Sequence, residues 1–227
     1  MFPRNALLTP LIIATVIGAI AGALLGGPWI WLHYACKPLA TVLILWLALG
    51  AAAPVSSRYR WLVGAGLAFS LAGDVFLMLP GDWFVFGLAS FLLAHLCYVV
   101  AFAPGSSADV KLVACVAYAA IAIANLVGLL PKVPAELHVP VLAYVAVLML
   151  MGALAAARGW SLRGDPRLRD SARLAAIGGV LFVLSDTLLA WNRFGGGIPL
   201  ASLWVLATYY LAQWHIARSV DLQAGGN

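Results

Sequence analysis

Apolar residues run through this chain in blocks of about twenty, separated by short stretches that gather charges, glycines and prolines. Blocks of that length fit an α-helix crossing the hydrocarbon core of a bilayer. They predict eight helices, at about 7–25, 31–51, 60–80, 83–103, 110–130, 138–157, 172–191 and 198–218. The connections are short, so the expectation is one all-α bundle over residues 1–227, a single integral membrane domain without a separate soluble part. A transmembrane β-barrel needs alternating apolar and polar residues, and these blocks do not alternate. Met1 to Gly27, with one Arg, an apolar core and the small residues Ala21-Gly22-Ala23, could pass for a signal peptide. Seven further spans favour an uncleaved first helix.

Composition agrees. The chain is 64% hydrophobic and 9% charged, with a mean hydropathy of +1.02, too few charges to cover a soluble surface. The 13 Lys and Arg are unevenly placed. With eight spans, one side of the membrane takes Arg4, Arg58, Arg60, Lys111, Arg158, Arg163, Arg167, Arg169, Arg173 and Arg218, the other only Lys37, Lys132 and Arg193. That asymmetry puts both termini in the cytoplasm. The run "RGWSLRGDPRLRDSAR" (158–173) then reads as a topology signal beside anionic headgroups, not as a nucleic-acid site. Trp29, Trp31, Trp83 and Trp191 fall at outer helix ends and Trp61 and Trp160 at inner ones, an aromatic belt. The Ala- and Arg-rich composition with its basic loop suits a bacterial inner membrane. Cys36, Cys97 and Cys115 lie within spans without CxxC or Cys/His spacing, so neither a disulfide framework nor a metal site is expected.

A shift of 112 residues superimposes helices 3–4 on helices 7–8 without a gap. Asp74 then meets Asp186, Gly66 meets Gly178, Leu77 meets Leu189, Tyr98 meets Tyr210, and the "LAS" at 88–90 meets that at 200–202. The bundle is therefore expected to consist of two four-helix halves in the same membrane orientation.

The matched carboxyls stand out because an ionisable group at hydrocarbon depth costs about 2.5–3.5 kcal/mol on insertion scales. Asp74 and Asp186 should lie at matching depth in the outer half, with Lys37 in the same layer. Pro38, immediately after Lys37, should bend helix 2 near this level. His95 lies deeper, sharing a helical face with Ser90, Phe91 and Tyr98. Tyr209 and Gln213 share a face of helix 8, while Asn192 and Arg193 sit at the outer mouth. A plainer reading remains open for each of these: a structural Asp74–Lys37 ion pair, a His95–Tyr hydrogen bond, and polar side chains that only glue helices together.

Taken together, "KPLATVLI", "LAGDVFLML…GLASFLLAHLCYVVAF" and "GGVLFVLSDTLLAWNRF…TYYLAQWHI" resemble the YhhN family, from about residue 30 to 218. This is an eight-span membrane family that includes the mammalian lysoplasmalogenases. The resemblance implies hydrolysis of the vinyl ether bond of a 1-alkenyl-lysophospholipid to a fatty aldehyde and glycerophosphoethanolamine or glycerophosphocholine. Acid cleavage protonates the β-carbon, and the resulting oxocarbenium ion captures water. Such chemistry calls for a proton donor, an anion near the cation and a means of activating water, with no metal or other cofactor. Asp74 and Asp186 are the expected acid/base pair, one kept protonated by desolvation and mutual repulsion, the other ionised by Lys37. Lys37, His95, Tyr98, Asn192, Arg193, Tyr209 and Gln213 are the expected substrate-binding residues. The expected partners are the lysophospholipid and membrane lipids; no nucleic acid and no protein partner is expected. Two rival readings use the same residues: a proton-coupled small-solute or lipid transporter, and a non-catalytic lipid-binding scaffold. One pocket with a lipid slot would favour the enzyme, and a path toward both faces the carrier.

Overall fold

A computed structural model describes residues 4–222 of the chain, the first three of these by their backbone alone. Arg4, counted above among the inner charges, and the ends of the chain beyond these bounds lie outside the described side chains. Eight long helices follow one another: α1 (Arg4–Leu25), α2 (Ile30–Leu49), α3 (Ser57–Met78), α4 (Phe84–Phe102), α5 (Ala108–Leu129), α6 (His138–Ser161), α7 (Arg169–Phe194) and α8 (Ala201–Arg218). Every predicted span is a helix. The largest error at an end is in α6, which runs to Ser161 rather than 157 because its last turn is polar but still helical.

Local chemistry fixes the ends. Ser56 precedes α3 and its Oγ accepts the Tyr59 N–H at 3.0 Å, satisfying one of the unpaired amides of the first turn. Pro80 then stops α3, and Gly81, at φ +99°, turns the chain back into α4. Pro38 sits inside α2, which continues as one helix past it to Leu49.

Seven of these helices are long and apolar enough to cross a membrane, and the protein is an integral membrane protein. The remaining one, α8, has 18 residues and carries Thr208, Tyr209, Tyr210, Gln213, His215 and Arg218. Tyr209, Tyr210 and Gln213 are buried, so much of its polarity faces the bundle interior. Outward-facing surfaces are apolar, with Leu7, Ile17, Val113, Val116, Val127 and Val139 all exposed. Trp29, Trp31, Trp61, Trp83 and Trp160 are exposed near helix ends, as a belt requires. Trp191 departs from that expectation: it turns toward α5, and its indole N–H donates to Asn125 Oδ1 at 3.1 Å.

Consecutive helices pack as neighbours within residues 4–102 and again within 108–218. Between these halves, α1 and α2 pack on α8, and α4 packs on α6. Exchanging the halves exchanges the α2–α8 and α4–α6 contacts, in accord with the repeat read from the sequence, whereas the α1–α8 contact has no counterpart of similar extent between α5 and α4. Its matched glycines occupy equivalent roles. A Cβ on Gly66 would fall 2.3 Å from the Tyr98 ring, and one on Gly178 2.6 Å from Ile216, so each marks a close approach inside its hairpin. The outlier is α5, which rests on α6, barely reaches α7 and buries only Leu129.

Candidate active site

The two carboxyls lie in separate nests built on the same plan. Asp74 of α3 is almost fully enclosed. Its Oδ2 accepts from Thr41 Oγ1 of α2 at 2.6 Å and from the Tyr209 hydroxyl of α8 at 2.7 Å. Lys37 Nζ stands 3.6 Å from Asp74 Oδ1 and donates to the Asp74 backbone carbonyl at 3.2 Å. Asp186 of α7 accepts at Oδ2 from the Tyr144 hydroxyl of α6 at 2.5 Å, with His95 Nε2 of α4 at 3.3 Å from the same oxygen. Thus each Asp draws one set of partners from the helix preceding it and one from the last helix of a half.

The Asp74 nest extends sideways. Tyr98 donates to Gln213 Oε1 at 2.9 Å, and Gln213 Nε2 donates to the Tyr209 oxygen at 3.2 Å, so a fixed polar chain from α4 to α8 ends on the carboxylate. Tyr210 donates to the Lys37 carbonyl at 2.8 Å. Five predicted site residues (Lys37, Asp74, Tyr98, Tyr209 and Gln213) therefore form one network. His95 and Asp186 form the second. His95 also meets Tyr144 at 3.0 Å, so its expected tyrosine partner exists alongside its carboxylate partner.

Aromatic rings fill the space between the nests. Phe182 lies 4.6 Å from His95 and 5.7 Å from Tyr209, centroid to centroid, and Phe91 packs edge-on against both Phe182 and Tyr209. This differs from the close pair that mutual repulsion required. Two carboxyls are instead insulated, each compensated locally, which is the less costly way to keep polar groups inside hydrocarbon.

Of the two carboxyls, Asp186 is the one that lines a cavity. A cavity of about 70 Å³ lies among α4, α5, α6 and α7. Leu88, Leu129, Val141, Val145, Leu148 and Trp191 help to line it, and Asp186 with Tyr144 supplies polar atoms at its wall. Asp186 keeps about 10% side-chain exposure against 2% for Asp74. Phe102 and Met151, which do not line the cavity, are fully buried. The cavity is a mainly apolar slot with Asp186, Tyr144, Asn125 and Thr187 as its polar lining, flanked by the loosely held α5.

Asn192 and Arg193 lie away from both nests. Asn192 Oδ1 accepts the Ile198 N–H at 3.1 Å and so holds the loop into α8. Arg193 Nη2 donates to both oxygens of Asp82 at 2.9 Å, at the outer end of the bundle. Sequence reasoning missed Thr41 and Tyr144. Thr41 was accessible, being one helical turn from Lys37 on the same face. Tyr144 gave no signal, since one Tyr in an apolar helix is ordinary and the 112-residue shift matches it to Leu32.

Comparison with known proteins adds an independent line. The sequence profile of the YhhN family matches residues 32–220. The chain is 36% identical over 186 residues to Lysoplasmalogenase TMEM86B of Rattus norvegicus, covering 82% of this chain and 70% of the rat protein. It is 35% identical over 198 residues to the Sus scrofa protein of the same name, covering 85% of this chain and 76% of the relative. A Mycobacterium bovis protein named Lysoplasmalogenase is 33% identical over 162 residues, 68% of this chain and 58% of that protein. No solved structure gives a significant match.

Proposed function

The chain belongs to the YhhN family, and on that premise we propose that it is a lysoplasmalogenase, a hydrolase of the vinyl ether bond of 1-alkenyl-lysophospholipids. The observation that carries this reading is the mainly apolar slot with a carboxyl on its wall, Asp186, held by Tyr144 and His95. An alkenyl chain is apolar except at its ether oxygen. A slot lined by Leu, Val and aromatic side chains binds such a chain and presents the double bond to Asp186. The rest of the chain runs out past α5 into the surrounding lipid.

In the proposed reaction the Asp186 carboxyl transfers its proton to the vinyl β-carbon. The former C=C π electrons form the new C–H bond, and the α-carbon becomes an oxocarbenium centre bonded to the ether oxygen. Asp186, now a carboxylate, faces that positive charge. Water adds to the α-carbon and gives up one proton, which returns to the carboxylate, leaving a hemiacetal. The hemiacetal hydroxyl then loses its proton as the glycerol oxygen gains one, and the C–O bond breaks. The products are a fatty aldehyde and a glycerophosphoethanolamine or glycerophosphocholine, with one water consumed. His95 and Tyr144 hold the Asp186 oxygen in place through the cycle.

Asp74 has a different place in this scheme. Enclosed with Lys37, Thr41 and Tyr209, it does not touch the slot and serves as a positioning residue. It fixes Tyr209, whose ring braces Phe91 and Phe182 behind the reacting carbons. Tyr98 and Gln213 complete that brace. The protein is proposed to act in a bacterial inner membrane with both termini in the cytoplasm, on the strength of its basic inner loops.

The test is aldehyde release by the purified protein from 1-alkenyl-lysophosphatidylethanolamine, beside the 1-acyl and 1-alkyl analogues. Release from the alkenyl lipid alone, abolished in Asp186→Asn and strongly reduced in Asp74→Asn, is the expected outcome. Full activity in a folded Asp186→Asn protein would sink the mechanism.

A further inference from the structure

The outer end of the slot carries a pairing that hydrolysis of the ether does not explain. Arg193, at the end of α7, donates to both oxygens of Asp82 in the α3–α4 turn. Its guanidinium lies 4.1 Å over the Phe84 ring and 5.7 Å from that of Phe194. Phe84 and Phe194 meet edge to face at 5.6 Å, and both line the slot. A cation is thereby held beside the aromatic rings at the cavity's edge, paired with a carboxylate that is 72% exposed.

The register along α7 ties this rim to the reacting group. Arg193 follows Asp186 by seven residues, two helical turns, so both lie on one face about 10 Å apart along the axis. In a 1-alkenyl-lysophospholipid about six bonds separate the vinyl carbon from the phosphorus, which is a comparable reach once the Arg side chain is allowed for. A substrate with its double bond at Asp186 and its headgroup outward brings its phosphate to Arg193. Arginine suits that anion, because its planar fork donates two parallel hydrogen bonds to phosphate oxygens. The pair it must first leave is an exposed ion pair, a type that contributes little stability.

Resting on the hydrolase reading above, we propose that Arg193 recognises the substrate phosphate and that Asp82 is a stand-in anion displaced by it. Asp82 Oδ1 also accepts the Phe84 N–H at 3.2 Å, at the start of α4. Asp82→Asn is therefore the informative variant, since Asn retains that local hydrogen bond and removes the competing charge.

The experiment measures binding of two uncleavable probes to the full chain in maltoside micelles: 1-alkyl-lysophosphatidylethanolamine and the phosphate-free 1-alkylglycerol. Arg193→Gln should weaken the phosphate probe by about tenfold or more and leave the alkylglycerol within about twofold. Asp82→Asn should tighten the phosphate probe several-fold in the wild-type background and have no such effect in Arg193→Gln, a non-additivity that marks competition for one group. Equal losses for both probes in Arg193→Gln, or weaker phosphate binding in Asp82→Asn, would overturn the proposal. Aldehyde release by the wild type separates the two levels. Release with a probe-blind Arg193 leaves the hydrolase and removes the phosphate site. Phosphate-selective binding without release leaves the phosphate site and removes the hydrolase.

Discussion

Asp74 and Lys37 are a buried pair whose value depends on both members. Removing one leaves the other charged or unsatisfied inside hydrocarbon, at a cost of about 3–5 kcal/mol, whereas replacing both often costs little. Lys37→Met alone should lower the detergent unfolding temperature markedly, and Lys37→Met with Asp74→Asn should recover much of the loss. Equal destabilisation by the single and double variants would mean that the pair is not coupled. Tyr144 predicts differently, because its hydroxyl serves Asp186 and not the packing. Tyr144→Phe should lower kcat by about tenfold to a hundredfold, the range of a weakened acid/base group, with little change in probe affinity. An unchanged kcat would place Tyr144 outside the site. Both Asp residues were legible in the sequence as isolated charges in apolar blocks. Their different surroundings were not, because Thr41, Tyr144 and the intervening Phe182 are unremarkable residues until three helices bring them together.

Element boundaries were nearly all readable, since an apolar block, a Pro-Gly turn and a capping Ser are local signals. How closely two helices approach is less so. Gly66 and Gly178 could only be matched to one another in the sequence; the structure shows what each one admits. A Cβ at 178 would also lie 2.9 Å from the Ala212 carbonyl oxygen, a backbone atom that cannot swing aside. Gly178→Ala should therefore destabilise by about 1–3 kcal/mol, the cost of overpacking a filled interface. Gly66→Ala should do the same and also push Tyr98 from Gln213. Unfolding of both variants at the wild-type temperature would show that these hairpins have slack. The polar α8 illustrates the reverse case, where composition undersells an element. Its Tyr209, Tyr210 and Gln213 are hydrogen-bonded inside the bundle, so their polarity never meets lipid.

Orientation belongs to the whole molecule. The basic residues gather at one end, with Arg60 near Trp61, Arg163 over Trp160 at 3.9 Å and Arg218 over Trp214 at 4.7 Å. The inner end is further tied by the 52–55 loop, where Val55 N donates to Val220 O and Leu222 N to Ala53 O, both at 2.9 Å. If both termini lie on the cytoplasmic side, as proposed, a cysteine placed at Gly164 should resist an impermeant thiol reagent applied from outside, and one at Gly196 should react. The opposite pattern would invert the topology and put the slot's mouth, with Arg193, on the cytoplasmic face. The slot itself exists only at this scale, between helices drawn from both halves.

Hydrophobic blocks determined from sequence alone that this is an eight-helix membrane bundle, and two isolated carboxyls singled out Asp74 and Asp186 as its candidate site. Those properties are local or additive: burial in lipid is set by twenty residues at a time, and topology by a count of cations. What only the tertiary structure decided is which carboxyl lines a cavity. A cavity is the place where packing fails to close, fixed by side-chain shapes from several helices at once. Asp74 fell where α2 and α8 close over it, and Asp186 where α5 stands slightly away from α7.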